Sequence, residues 1–249
     1  MTFEHIYLDS FCVEENEFYS IYYSPDNLYM HDDNFLQLHY QPSLEEFKVI
    51  EQNLLDFRED AGWDHLKIIW PQDAGLSPEV TNYLAEKGYG LEMLELYTVQ
   101  PSDFSPSYIR PEVTVQPVTE DTLPLFKQLS FDQDEEINET FAKQKQALYD
   151  RLFEEGNVTL VLAFIEDNQV GGVSMIEAEE TVEIDSLFVV DNYQRQGIGA
   201  AIQQYVMDTA GKRRVILVAD ADDSPREMYR KQGYRYEGFQ IGAVKELRD

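Results

Sequence analysis

From Val113 to Val118 apolar and polar residues alternate, which predicts a half-buried strand. Leu125, Phe126 and Leu129 then share one face of a helix over 121–129, and a second, polar helix is expected over about 135–153, ended at Glu155-Gly156-Asn157. Three strands follow as a meander: Val158 to Ile165, Val170 to Ile176 after the turn at 166–169, and Val182 to Val190 after the acidic turn Glu179-Glu180. Ile198, Ile202, Tyr205, Val206 and Thr209 return to helical spacing, with Gly211 in the place of a C-cap. The run RVILVA, Arg214 to Ala219, has the look of a strand buried on both faces. Ser224-Pro225-Arg226-Glu227 has the form of a capping box with proline at the first helical position. That helix ends at Gly233, and 234–241 supply a last strand. This order predicts an α/β fold with a mixed sheet.

The first hundred residues repeat part of the plan. Leu66 to Trp70 is an apolar strand, Ser77-Pro78 opens a helix that Lys87-Gly88-Tyr89 closes, and Leu91 to Val99 is another strand. YLAEKGY at 83–89 compares with MYRKQGY at 228–234, each after a Ser-Pro helix start, as in a diverged internal repeat. The Pro- and Ser-rich stretch QPSDFSPSYIRPE, 100–112, lacks periodicity and reads as an exposed linker. Two parts are therefore expected, a smaller α/β half over 1–105 and a second over 110–249.

Composition narrows the class. Among 249 residues, 48 are acidic and 19 are Lys or Arg, a formal net charge of −29. Such a surface repels nucleic acid and anionic lipid, so neither is an expected partner. The single cysteine, Cys12, excludes an intrachain disulfide and a thiolate zinc site, and is expected to be a buried, inert thiol. The N-terminal MTFEHIYLDSF does not have the pattern of a signal peptide, and no apolar run approaches the ~20 residues of a membrane span. A cytoplasmic location is the expectation. His5, His31, His39 and His65 all lie in the N-terminal half without metal-ligand spacing, so no metal is expected.

The informative segment is LFVVDNYQRQGIGA, Leu187 to Ala200, a strand joined to a helix through Gly197-Ile198-Gly199. Two glycines allow close approach of the backbone to a ligand, and the first amides of the helix suit a pyrophosphate. They would serve equally in a tight helix start that only needs packing. A Rossmann fingerprint is excluded, since Ile202 stands where its third glycine belongs.

Gln194-Arg195-Gln196-Gly197-Ile198-Gly199 resembles the Q/R-x-x-G-x-G/A motif of the GNAT acetyltransferases, and Met228-Tyr229-Arg230-Lys231-Gln232-Gly233-Tyr234 is similar to that family's LYxKxGF ending. The resemblance covers about 113–249. It implies the mixed-sheet GNAT fold, with Arg195, Gln196, Gly197, Ile198, Gly199 and Ala200 holding the pyrophosphate of acetyl-CoA. Leu187, Phe188 and Val189 would pair with the pantetheine arm where two strands splay apart. Asp222 falls where many members have an asparagine near the cofactor. Tyr229 matches the general-acid tyrosine, or else packs on cofactor or core. Glu183, two residues from Asp185, matches a glutamate that some members use as base through water, or else is a solvated strand end. The implied reaction moves an acetyl group to a primary amine in a ternary complex, without a covalent enzyme intermediate. The acceptor is a small molecule or peptide, and the acidic strand ends at Glu177, Glu179, Glu180 and Glu183 suit a cationic one. The alternative is a non-catalytic module that binds acyl-CoA. In the N-terminal half the counterpart of the cofactor loop, Gln41-Pro42-Ser43-Leu44, has no glycine, and Leu84 stands opposite Tyr229, so that half is expected to be a degenerate copy.

Overall fold

The computed structural model describes residues 1–136, 138–222 and 226–247. The N-terminal half runs β1 (Phe11–Glu15), β2 (Tyr19–Tyr23), β3 (Phe35–Leu38), α1 (Leu44–Ala61), β4 (His65–Ile69), α2 (Pro78–Lys87) and β5 (Gly90–Val99). The C-terminal half runs β6 (Val113–Pro117), α3 (Leu123–Glu135), α4 (Glu139–Glu154), β7 (Val158–Ile165), β8 (Asn168–Glu177), β9 (Thr181–Val189), α5 (Ile198–Ala210), β10 (Arg214–Asp220), α6 (Arg226–Lys231) and β11 (Arg235–Glu246). The expected order of elements in the C-terminal half is present. The expected capping box at Ser224-Pro225 falls partly outside the described residues.

The chain forms two compact units that do not follow the expected division at 105–110. One unit comprises 97–218 and 226–236, the other 2–96, 219–222 and 237–247. The last strand, expected to stop at 241, continues to Glu246, and its Gly242–Glu246 pairs antiparallel with His65–Ile69 of β4. The C-terminal strand thus completes the sheet of the N-terminal unit. No local pattern announces this, because strand pairing is decided by distant partners.

In the first unit β6, β7, β8 and β9 form an antiparallel meander and β10 joins β9 in parallel. Leu160 to Ala163 and Val170 to Ile176 are buried without alternation, as strands covered on both faces must be. On α5, Ile198, Ala201, Ile202, Val206 and Met207 are buried, an apolar stripe at helical spacing.

In the second unit β1, β2 and β3 are antiparallel and β3 meets β4 in parallel. Its core gathers Leu36, Phe47, Leu54, Ile68, Trp70 and Leu84. Cys12 lies on β1, whose residues are all exposed, so the expectation of a buried thiol is corrected. At the edge of its sheet, β1 has one neighbour and little cover.

Candidate functional site

The site begins with an irregularity in β9. On β8 the register steps from Gly172 to Ser174 while on β9 it steps from Phe188 to Asp185, so β9 carries an extra residue. Ser186 takes φ 50 there, a left-handed conformation that a β-bulge imposes. On the other edge, pairing with β10 runs from Arg214–Thr181 to Leu217–Ile184, yet β9 continues to Val189. Beyond Ile184 the register with β10 has ended, and the backbone from Asp185 to Val189 offers peptide groups to an extended ligand on that side. Leu187, Phe188 and Val189 lie on this stretch, as expected. The side chains of Leu187 and Val189 face Gly199, whereas the Phe188 ring packs edge-on to Phe126 at 6.3 Å.

The loop that follows is held by Gln194, whose amide donates to Val189 O at 3.2 Å and Asp191 Oδ1 at 2.7 Å. Arg195 (φ 58) and Gly197 (φ 80) then take left-handed conformations before α5 starts. Gly197 is the N-cap and no side chain caps the helix. The first amides of α5 therefore lack intrahelical acceptors, and left-handed turns beside a helix N-terminus form an anion-binding concavity. The structure brings Arg195, Gln196, Gly197, Ile198, Gly199 and Ala200 into this one corner; Ile198 alone among them is buried.

The segment expected to be an exposed linker is instead a strap on both motifs. Ser105 donates its N–H to Gln232 O at 2.9 Å, and a Cβ on Gly233 (φ 95) would lie 2.2 Å from Asp103 O. Tyr108 lies against Gly197, where a Cβ would come within 2.7 Å of its ring, and Arg110 Nη1 donates to Gln196 Oε1. Tyr108 and Arg110 were not legible as site residues, because their contacts join positions some 86 residues apart. Arg110, also ion-paired with Glu112 at 3.4 Å, places its guanidinium beside this corner.

Tyr229 on α6 sits half-buried against Tyr97 and Tyr234, with ring centroids at 5.0 and 5.3 Å. Burial pushes its phenol above the usual tyrosine range, so it keeps its proton at neutral pH. Tyr234 fixes this cluster to α5: its hydroxyl donates to Gln203 Oε1 at 2.8 Å, and Gln203 Nε2 donates to Gly199 O at 3.3 Å. Burial also pushes the Tyr234 phenol up. Gln203, Tyr234 and Tyr97 were not among the expected site residues. The helical spacing from Gly199 to Gln203, and the tyrosine after Gly233, are the signals that could have marked the first two.

Glu183 is buried, at 7% exposure, and the reading of it as a solvated strand end is corrected. Asp185 is partly exposed and accepts from Ser186 Oγ at 3.1 Å. Asp222 is exposed, its N–H donates to Asp220 Oδ1 at 2.8 Å, and it falls within the second unit. Of the acidic strand ends, Glu177 is already paired with Arg213 at 2.6 Å, which leaves Glu179 and Glu180 exposed.

Residues 127–241 match the family described as Acetyltransferase (GNAT) domain, and residues 1–97 match a domain of unknown function (DUF5613). No curated protein matches the chain. A conserved protein of unknown function from Staphylococcus epidermidis ATCC 12228 is 27% identical, covers 99% of this chain and 98% of its own, and superposes with a TM-score of 0.90. A GCN5-related N-acetyltransferase from Kribbella flavida shares the fold at 17% identity and a TM-score of 0.57, over 85% of this chain and 81% of its own. So does a tandem GNAT protein from the clavulanic acid biosynthesis pathway, at 9% identity and a TM-score of 0.56, over 93% of this chain and 80% of its own. Among the described residues no helix is long and apolar enough to cross a membrane. The segment 127–241 thus matches the acetyltransferase (GNAT) domain model, and the mixed α/β fold of the chain is shared with GNAT proteins through its N-terminal region as well.

Proposed function

We propose that the unit containing 97–218 transfers the acetyl group of acetyl-CoA to a primary amine by direct attack in a ternary complex. One observation carries this reading: the uncapped N-terminus of α5 follows a stretch of β9 whose pairing with β10 has stopped. An anion site and an open strand edge are what a pyrophosphate joined to an amide-bearing arm requires.

The roles follow from chemistry. Amides from Arg195 to Ala200, with the Arg110 guanidinium, hold the pyrophosphate, and the backbone of Leu187, Phe188 and Val189 pairs with the arm. The amine nitrogen forms a bond to the thioester carbonyl carbon while the carbon–sulfur bond breaks. Glu183, through a water, takes the proton of the ammonium; Tyr229 gives its phenolic proton to the departing sulfur and regains one from the second N–H proton, which leaves the nitrogen as the amide forms. Alignment of the two reactants supplies part of the rate without either residue. The acceptor is a small-molecule or peptide amine, cationic before it loses that proton.

The melting temperature with and without acetyl-CoA tests the site. At a hundredfold excess over the dissociation constant the ligand adds about 2.7 kcal/mol, roughly 5–11 °C for a chain of this size. Gly199→Glu removes the shift while the fold stands, because a Cβ at Gly199 meets nothing closer than 3.8 Å and a carboxylate in the first turn of a helix suits its dipole. Absence of a shift in the parent protein at millimolar acetyl-CoA overturns the reading. A shift without thiol release against any amine favours the alternative, a module that binds acyl-CoA without turnover.

A further inference from the structure

The second unit gathers a constellation that takes no part in the corner described above. His31 opens a short helical turn, Asp64 and His65 lead into β4, and one donor atom from each lies within 4.8 Å of the others. The His65 side chain is fully buried, stacked on Trp63 at 5.7 Å, with Nε2 2.9 Å from the backbone O of Asn34. A carbonyl oxygen only accepts, so Nε2 carries the hydrogen. The other ring nitrogen, Nδ1, faces Asp64 Oδ1 at 3.4 Å. With Nε2 bound to the carbonyl, Nδ1 is the nitrogen left to turn a lone pair toward a cation that the carboxylate also reaches.

His31 closes the other side. Its ring centroid is 4.1 Å from that of His65, and its Nε2 stands 3.3 Å from Glu246 Oε1 on β11. Lys67, two residues along β4 and buried, does not neutralise this cluster. Its ammonium is committed to Asp32 at 2.5 Å and to Glu92. Four carboxylates, Asp32, Asp64, Glu92 and Glu246, thus surround one lysine and two imidazoles.

We propose that His31, Asp64 and His65 form a binding site for a divalent metal ion of the zinc class, with water completing the coordination. Two imidazole nitrogens and a carboxylate oxygen are a donor set that zinc accepts, and one that magnesium and calcium do not prefer. The outer nitrogen of His65 is fixed by a backbone carbonyl and His31 is flanked by a carboxylate, the kind of support that orients metal-binding histidines. The ion would clip the turn at 31–33 to the start of β4, and Glu246 would extend the clip to β11. The spacing of the histidines gave no warning, because the ligands come from segments more than thirty residues apart.

The test uses the full chain stripped with EDTA and titrated with zinc chloride by calorimetry. One zinc binds per chain, excess magnesium leaves the binding unchanged, and zinc raises the melting temperature. His31→Ala and Asp64→Asn each weaken the affinity by at least the ~10–100-fold that loss of an outer partner costs a metal site. Both side chains reach solvent, at 30% and 73% exposure, so the variants keep the fold, which circular dichroism checks. Absence of saturable binding, or equal affinity in both variants and the parent, overturns the proposal and assigns the ion to surface carboxylates.

Discussion

The two units each turn a strand into a helix, and the two corners treat the helix N-terminus in opposite ways. At α1, Ser43 Oγ accepts from the Glu46 N–H at 3.4 Å while the Glu46 carboxylate accepts from the Ser43 N–H at 2.8 Å and from Oγ at 2.6 Å. This is a complete capping box, and the Ser43 hydrogen bonds hold the Glu46 carboxyl below its usual range. The helix carries its own anion. At α5 a glycine in a left-handed conformation replaces the serine and no side chain reaches back. The same geometry is thus closed by a carboxylate in one unit and left for a ligand in the other.

A second pair of features makes the comparison sharper. Each unit has a helix ended by a left-handed glycine, Gly88 or Gly233, and then a tyrosine. Tyr89 donates to Glu51 on α1 at 2.7 Å, and Tyr234 donates to Gln203 on α5 at 2.8 Å. A lock between two helices of this kind is found in both units. One turn earlier the units diverge, for Leu84 is buried in its core while Tyr229 brings a half-buried hydroxyl. What the two units share is architecture. They differ at the positions to which the proposed acyl transfer assigns an anion site and an acid.

The largest effect is expected at that last difference. Tyr229→Phe keeps the ring and its contacts with Tyr97 and Tyr234 but removes the proton, so turnover falls on the order of 10²–10⁴-fold. Calorimetry should find acetyl-CoA affinity unchanged, because no polar contact to the cofactor is lost. The pH profile gives the sign. The phenol acts as an acid only while protonated, and burial raises its pKa, so activity persists below that raised value and falls as pH rises through it. Full turnover in Tyr229→Phe would break the comparison at its chemical end.

Next comes Gly197→Ala. The residue holds φ 80, and a Cβ would stand 2.7 Å from the Tyr108 ring, so both backbone and strap resist it. Strain of this kind costs about 1–3 kcal/mol, read as a lower midpoint of chemical unfolding. Tyr108→Ala in the same chain removes the ring contact but neither the 3.0 Å approach to the Arg110 backbone nitrogen nor the left-handed conformation, so it should restore only part of the loss. Full restoration would mean that the left-handed turn itself is dispensable.

The open corner was legible in the sequence, since a glycine pair after an apolar strand is a local signal and its chemistry follows from helix geometry. The meander before it was legible for the same reason, with Val158–Ile165 bounded as its apolar run implied. The closed corner carried a signal that went unread: Ser43-Leu44-Glu45-Glu46 is a capping box, Phe47, Ile50 and Leu54 keep helical spacing, and Gly62 caps the end. Other features were beyond any local reading. The last strand crosses to the other unit, the strap at 103–110 touches both motifs, and His31 meets His65, each through contacts that only the folded chain creates.

The smallest effect tests the closed corner. Ser43→Ala deletes the hydroxyl that accepts from Glu46 N–H and donates to its carboxylate, which costs about 1 kcal/mol, as loss of an N-cap generally does. Ser43→Gly should cost only a few tenths, because glycine leaves the first amides open to water. The pair therefore separates a lost hydrogen bond from a blocked helix end. Acetyl-CoA titration of both variants should match the parent, since α1 lacks the glycine loop and the parted strand on which the proposed site at α5 rests. If Ser43→Gly instead gained a second acetyl-CoA equivalent, the cap alone would distinguish the two corners, and the bulged stretch of β9 would matter less than its geometry implies.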